Sequence, residues 1–588
     1  MLLRPPLTRR AIRAVALVVA LASSAAAQTA STTDPRANLK AGWKDAGEAA
    51  NNLRLVSTAW KPEGMYDPRN LGNFSFMNSD LAFAGRYVFQ GNFNGFQIWD
   101  VSDVRHIKLT TLFPCPGGQG DMSVYGNLLF MSVEETRGRT DCAPGGIKDT
   151  VSAERFRGVR IFDITDVAHP KLITQVQTCR GSHTHTLLED PRDKGVLYVY
   201  VQGTSVVRSP NELAGCSGAA PDKDPNTSLF RIEIIRVPLA RPQDARIVNS
   251  PRIFADSTGA IAGLWKGGTH GDSTQNTSQT NQCHDITVYP AIGLAAGACS
   301  GNGILLDIRD PANPKRVAEV IDPNFAYWHS ANFSNDGTKV LFTDEWGGGT
   351  APRCRVTDKM TWGADAIFTV KDRKMTLAGY YKLPVAQTSS ENCVAHNGSI
   401  IPVPGRDIMA QGWYQGGVSV FDFTDPAHVQ EIAYFDRGPV NADTLEIGGS
   451  WSAYWHNGYL WSTEIARGLD VLELTPSEFL SANEIAAARL VQHEVNNPQN
   501  QMRNTWPANF AVARAYLDQL VRGNGLATER TAKVSKELDT AEQLSGAARK
   551  AALDKLAGEL GADARRAADA GRVKAMASAV SELAKAAK

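Results

Sequence analysis

One pattern recurs along most of the 588 residues: a glycine, an alternating apolar strand, an aspartate, a short polar turn and a second strand. It reads GFQIWDVSDVRHIKLTTL from Gly95, GVRIFDITDVAHPKLITQV from Gly158, GILLDIRDPANPKRVAEV from Gly303 and GVSVFDFTDPAHVQEIAYF from Gly417. Weaker copies start at Leu229 and Gly363, and GLDVLELTPSEF from Gly468 begins the same way before changing character. Asp, Ser, Thr and Pro favour turns, so each copy predicts two antiparallel strands. A further apolar pair precedes each copy, as in SDLAFAGRYVFQGNF, which makes about four strands per repeat. One such unit cannot bury both faces, and seven in succession predict a closed ring. The fold expected is all-β, a seven-bladed β-propeller over residues 53–474, with an α-helical segment over 475–588. The last copy lacks its fourth strand, and LRLVSTAW (Leu53–Trp60) is expected to supply it and close the ring.

The glycine–apolar–Asp-[Val/Ile]-[Ser/Thr]-Asp copies resemble the LVIVD repeat of exported bacterial β-propellers. That resemblance implies the fold; it carries no activity with it.

The N-terminus points the same way. Arg4, Arg9, Arg10 and Arg13 precede an apolar run ending in Ala25-Ala26-Ala27, which predicts a signal peptide over 1–27 and a linker over 28–52. Thr8-Arg9-Arg10 leaves Sec and twin-arginine export both open. The chain is expected to be periplasmic or extracellular, with no membrane span after cleavage. In an oxidising compartment its eight cysteines predict disulfides before metal ligands. Cys283 and Cys299 lie symmetrically about the turn Pro290-Ala291-Ile292, so they should face each other across a hairpin. The same logic extends to Cys115–Cys142, Cys179–Cys216 and Cys354–Cys393. Lys and Arg number 61 and so do Asp and Glu, which excludes an electrostatic footprint for nucleic acid.

Beyond Leu474, Thr475-Pro476-Ser477-Glu478 predicts a helix start, and Ala, Glu, Lys, Leu and Arg at three- and four-residue steps predict amphipathic helices. NNPQNQMRN reads as a link between them.

Aligned by their turns, four successive repeats open their first strand with histidine: His185, His284, His329 and His396. First strands line a propeller channel, so these four are the candidate ligands of one transition metal (Zn, Fe or Cu). His183, two residues before His185, should point the same way on a strand. Asp285, Asp344 and Glu345 are candidates to orient the imidazoles. The competing expectation is that they merely hydrogen-bond in a wet pore. His456 reads as part of a turn, and His106, His169, His428 and His493 as solvated. No Gly-x-Ser-x-Gly elbow, Walker loop, His-Glu-x-x-His or EF-hand loop is present.

Long insertions, rich in Trp, Arg, Asp and Asn, interrupt the second to fifth repeats, with His270 in one of them. Gathered on one face, they would form a rim suited to a protein, peptide or carbohydrate. The function expected is therefore an exported binding or scaffold protein acting through these loops. The alternative is a metalloenzyme, oxidoreductase or hydrolase, with a histidine-ligated metal at the channel.

Overall fold

The computed structural model describes residues 33–587, so the expected signal peptide lies outside the described residues. The chain is mostly β, and one arrangement recurs: four antiparallel strands joined in sequence order. It is formed by strands between Asn78 and Pro114, Met122 and Gln177, His185 and Asn249, Asp285 and Val320, and Trp328 and Tyr381. Two further units, Asn397–Arg437 and Ser450–Leu474, share a nine-stranded sheet through a short parallel pairing of Asn397 with Ser452 and Gly398 with Ala453. The strand Leu53–Trp60 pairs antiparallel with Gly468–Leu474, completing the last unit from the other end of the chain as expected.

Apolar clusters join each unit to the next, and the series returns on itself. Phe89 and Phe96 pack with Met122 and Leu129, and Leu460 and Leu472 with Ile408 and Val420. Tyr454, Trp461 and Val471 of the last unit pack on Leu81, Phe83 and Trp99 of the first.

The repeat motif has a local cause. Where a third strand ends in aspartate, that side chain accepts the backbone N–H two residues on: Ser102 to Asp100 at 3.0 Å, Thr165 to Asp163 at 2.8 Å, Thr424 to Asp422 at 2.8 Å. The next aspartate then holds a histidine Nδ1, in Asp103–His106, Asp166–His169 and Asp425–His428, at 2.8, 2.8 and 2.9 Å. Those three histidines are exposed, as expected. The opening glycine is required where the fourth strand passes closest. At Gly158 (φ 149°) and Gly468 (φ 156°) a Cβ would lie 2.0 Å from the carbonyl oxygen of Val176 or Ala59.

All four expected disulfides are present, and no cysteine among the described residues is free. Four disulfides suit an oxidising, non-cytoplasmic setting. Among the described residues no helix is long and apolar enough to cross a membrane.

Three expectations need correction. Within the expected linker, Glu48–Asn51 is a strand pairing with Gln430–Arg437. The first helix, α1, is Ala482–Arg489, not a helix from Thr475. Its capping box is Ser481 and Glu484, because the Ser477 hydroxyl is spent accepting the N–H groups of Phe479 and Leu480 in a turn. Four more helices, α2 (Phe510–Arg522), α3 (Thr528–Gln543), α4 (Gly546–Asp563) and α5 (Ala570–Ala586), bury one apolar core of their own.

The third correction concerns residues 493–504, which are more than a link. They cross the far ends of the first strands of several units. Val495 and Asn496 pair with Ala84 and Phe83. Asn497 brackets Val124, accepting its N–H at 2.8 Å and donating to its carbonyl at 2.9 Å. Gln501 does the same to Phe333, at 2.9 and 2.7 Å. Gln499 reaches inward and donates to Asp80 at 3.0 Å. His493 belongs to this crossing, half-buried, its N–H donated to Asn457 at 2.8 Å, rather than to a solvated helix.

Lys61, just after the closing strand, is buried and donates to the carbonyl of Phe76. Burial pulls its ammonium down to about 7, against Glu464, which favours the charge. Between that value and the ordinary ~10.4 the unfolded chain binds more protons than the folded one, so stability rises with pH across this window. Below it the cost is fully present. Lys61→Met is expected to be more stable than wild type near neutral pH. The difference should shrink by about 3 kcal/mol between roughly pH 6.5 and 9.5. Urea unfolding of both proteins at the two pH values measures this, and a pH-independent difference would contradict it.

Candidate metal centre

The starts of the first strands meet at the end opposite the crossing segment. His284 immediately precedes Asp285–Tyr289, His329 is the second residue of Trp328–Phe333, and His396 immediately precedes Asn397–Ile401. Their rings form a contiguous row: His284 to His329 at 3.8 Å between centroids and His329 to His396 at 4.2 Å. The row extends at its other end to His183, 4.3 Å from His284.

His183 therefore stands where His185 was expected. Residues 181–184 form a turn, with Gly181 at φ 65°, so strand alternation does not yet apply at His183. From residue 184 onward it does. Thr184 and Thr186 aim their hydroxyls at the carbonyls of His284 and Ile286, both at 2.6 Å. His185, between them, points to the other side. There it meets Ser132 at 2.8 Å, Asp121 at 3.3 Å and the ring of Phe130. Burial lowers its pKa to about 3.

Each imidazole of the row is gripped through Nδ1. His183 faces Glu134 at 2.7 Å, His284 faces Asp285 at 3.1 Å, His329 faces the Thr343 hydroxyl at 3.4 Å, and His396 faces the carbonyl of Trp451. A carbonyl can only accept, so His396 must carry its proton on Nδ1 and a lone pair on Nε2. His329 Nε2 and His396 Nε2 are both buried without a hydrogen-bond partner. They approach the two oxygens of one carboxylate, Glu345, at 3.7 and 3.6 Å. Ligand atoms of His284, His329 and Glu345 all lie within 4.8 Å of one another. Ligands 2.0–2.2 Å from a common ion stand at most about 4.4 Å apart, so these three need draw together only slightly to share one, and His396, outside that set, reaches it through Glu345.

The electrostatics agree with ligand chemistry. Burial, reinforced by the neighbouring imidazoles, holds His284 and His329 well below the usual histidine range, and burial does the same to His396. All three are neutral donors near pH 7, as metal binding requires. Burial raises Glu345 to about 7, and the Tyr414 hydroxyl, 2.5 Å away, opposes the rise. Burial also raises Asp285 to about 7. Glu134 is different: burial pushes it up, but His183, with His284 and Arg157, together outweigh burial and hold it below the ordinary value. Asp344, expected to orient an imidazole, instead accepts the N–H groups of Ala326, Tyr327 and Gly363 at 3.0, 2.9 and 2.9 Å. His456 ends a strand, stacked on Phe83 at 4.4 Å.

Above the row opens a cavity of about 510 Å³. His183, His284, Glu134 and Glu345 form part of its floor, and Phe74, Phe93, Trp346 and Trp451 stand among its walls. The insertions of the fourth and fifth repeats contribute Asn276, Ser278 and Trp346 through Thr350, so part of the expected rim is here. His270 is not; it stacks on Trp265 at 3.9 Å within its own insertion.

No family model and no curated protein matches the chain. Among solved structures it is similar to a protein from Bacteroides fragilis provisionally named a 6-phosphogluconolactonase, at 9% identity and a TM-score of 0.37 over 68% of this chain and 89% of that one. A Bacteroides uniformis protein with the same provisional name is 9% identical, with a TM-score of 0.39 over 66% and 89%. A protein from Lactobacillus plantarum is 10% identical, with a TM-score of 0.37 over 61% and 83%. These likenesses are too distant to bear on the chemistry.

Proposed function

We propose that the chain is an exported metalloenzyme of the LVIVD-repeat kind, built on a seven-bladed propeller. It would hold one transition-metal ion, Zn, Fe or Cu, through His284, His329, His396 and Glu345. The seven-bladed reading is supported by seven four-strand units whose packing returns from the last to the first. The observation that carries the metal is the pair of buried, unpartnered Nε2 atoms aimed at Glu345. An orphaned buried polar atom costs about 1–3 kcal/mol, and an ion would remove that cost at both. Imidazole with carboxylate suits Zn, Fe and Cu.

A loop-mediated binding or scaffold protein needs none of these oriented imidazoles, so the centre favours the enzyme reading. The ion would act as a Lewis acid or redox centre towards an oxygen atom entering from the cavity. His183, fixed by Glu134, is the group placed to take or return a proton there. Tyr414 orients Glu345.

The test is metal content of protein purified from the periplasm, by elemental mass spectrometry, before and after reloading. About one transition-metal ion per chain is expected. Less than a tenth of an ion per chain after reloading with each candidate metal would sink the reading. Asp285→Asn, which loosens the grip on His284, is expected to weaken metal affinity about 10–100-fold while leaving the fold intact. Competition with a chelator measures this.

A further inference from the structure

We infer, resting on the metalloenzyme reading, that the substrate is an uncharged aromatic molecule carrying an oxygen substituent, of the phenol or naphthol type, bound with its oxygen towards the His284–Glu345 floor. The cavity combines two features that select for this class. Its walls include Phe74, Phe93, Trp346 and Trp451, with Met77 and Ile447 between them. Among the described residues its lining contains no lysine or arginine, and its only carboxylates are Glu134 and Glu345.

Both carboxylates are already committed, to His183 and to Tyr414. The guanidinium of Arg353 lies over the Trp346 ring at 4.0 Å and donates to the carbonyl of Pro352. A phosphorylated or carboxylated substrate would meet none of the Arg or Lys forks by which such groups are held, and only the proposed ion would attract it. A cationic substrate would be repelled by the proposed ion beneath. An uncharged ring pays neither cost, and aromatic walls reward it through offset and edge-to-face contacts.

The rim supports this. Phe74 is 49% exposed, on a single 3-10 turn (Phe74–Phe76) that buries none of its residues. Trp346 leads into Gly347-Gly348-Gly349, all at positive φ. At Gly349 a Cβ would lie 2.2 Å from the Tyr414 ring, so the loop lies tight against the tyrosine that holds Glu345. A volume of about 510 Å³ admits one to three fused rings.

The experiment is calorimetric titration of the full chain, chelated and metal-loaded, with 2-naphthol, glucose 6-phosphate and choline. 2-Naphthol is expected to bind at least tenfold more tightly than glucose 6-phosphate to the chelated protein, whose cavity offers an anion no cation, and at least tenfold more tightly than choline to the metal-loaded protein, where the ion repels a cation. Binding should survive in the chelated protein, because the walls remain. Phe74→Ala and Trp346→Ala, both outside the buried core, should each weaken it ~3–10-fold. In the metal-loaded protein 2-naphthol should also perturb the ion, read as a changed spectrum of a Co-substituted sample. Tighter binding of glucose 6-phosphate to the chelated protein or of choline to the metal-loaded protein would overturn the inference, and so would 2-naphthol binding unchanged by both wall variants. A protein that binds 2-naphthol but never takes up metal would instead overturn the metalloenzyme reading, leaving the cavity's preference standing.

Discussion

Replacing His329 and His396 together by alanine is expected to abolish metal retention while leaving a folded chain. These two side chains present the unpartnered Nε2 atoms on either side of Glu345. Loss of a group that only orients a ligand weakens affinity up to about 100-fold, so loss of two direct donors should exceed that. Their removal also deletes buried polar atoms that have no protein partner on Nε2, which limits the cost to folding. Elemental analysis with circular dichroism on the same samples separates the effects. Retention of stoichiometric metal by the folded double variant would show that the ion, if bound, sits elsewhere.

Arg467→Met is expected to destabilise the chain by about 3–5 kcal/mol, the range for breaking a buried ion pair from one side. Arg467 is 1% exposed and lies in the turn between strands Tyr459–Glu464 and Gly468–Leu474 of the closing unit. Its guanidinium donates to Glu464 at 3.0 Å and to the carbonyls of Trp43, Gly42 and Gly438 at 2.9, 2.7 and 2.8 Å. It thus ties the N-terminal segment to the seam where the ends of the chain meet. Methionine fills similar volume but leaves three carbonyls unsatisfied and removes the guanidinium paired with Glu464. Arg467→Lys should recover little, because an ammonium cannot span the same fork. Urea unfolding of the three proteins measures this; a loss below about 1 kcal/mol for methionine would mean the seam does not depend on the arginine.

The repeat was legible because its glycine, strand and aspartate recur in register, and each has a local cause. Gly158 and Gly468 lie where a side chain would strike the next strand, and Asp100, Asp163 and Asp422 cap the turns. The disulfide pairs followed from sequence proximity across hairpins and insertions. His284, His329 and His396 could be found because they open first strands in one register. His183 was mistaken for a companion of His185 because alternation was carried back through a turn. Glu134 was missed because it starts an insertion, where no periodicity says which way a side chain points. Glu345 was seen as an orienting group, yet the chain turn after Asp344 brings its carboxylate to the imidazoles themselves. The crossing segment left a faint signal: Asn497, Gln499 and Gln501 alternate, which places three amides on one side of an extended chain. Asn497 and Gln501 pair with strand backbone and Gln499 with Asp80, all far away in sequence, and no local pattern could name these partners.

The most direct test of the metal centre is anomalous diffraction from crystals of the reloaded protein, recorded at the absorption edge of the bound metal. A single peak about 2.0–2.2 Å from Nε2 of His284, His329 and His396 and from a Glu345 oxygen is the expected result. No peak at the histidine row, in crystals of protein reloaded with Zn, Fe and Cu in turn, would contradict it.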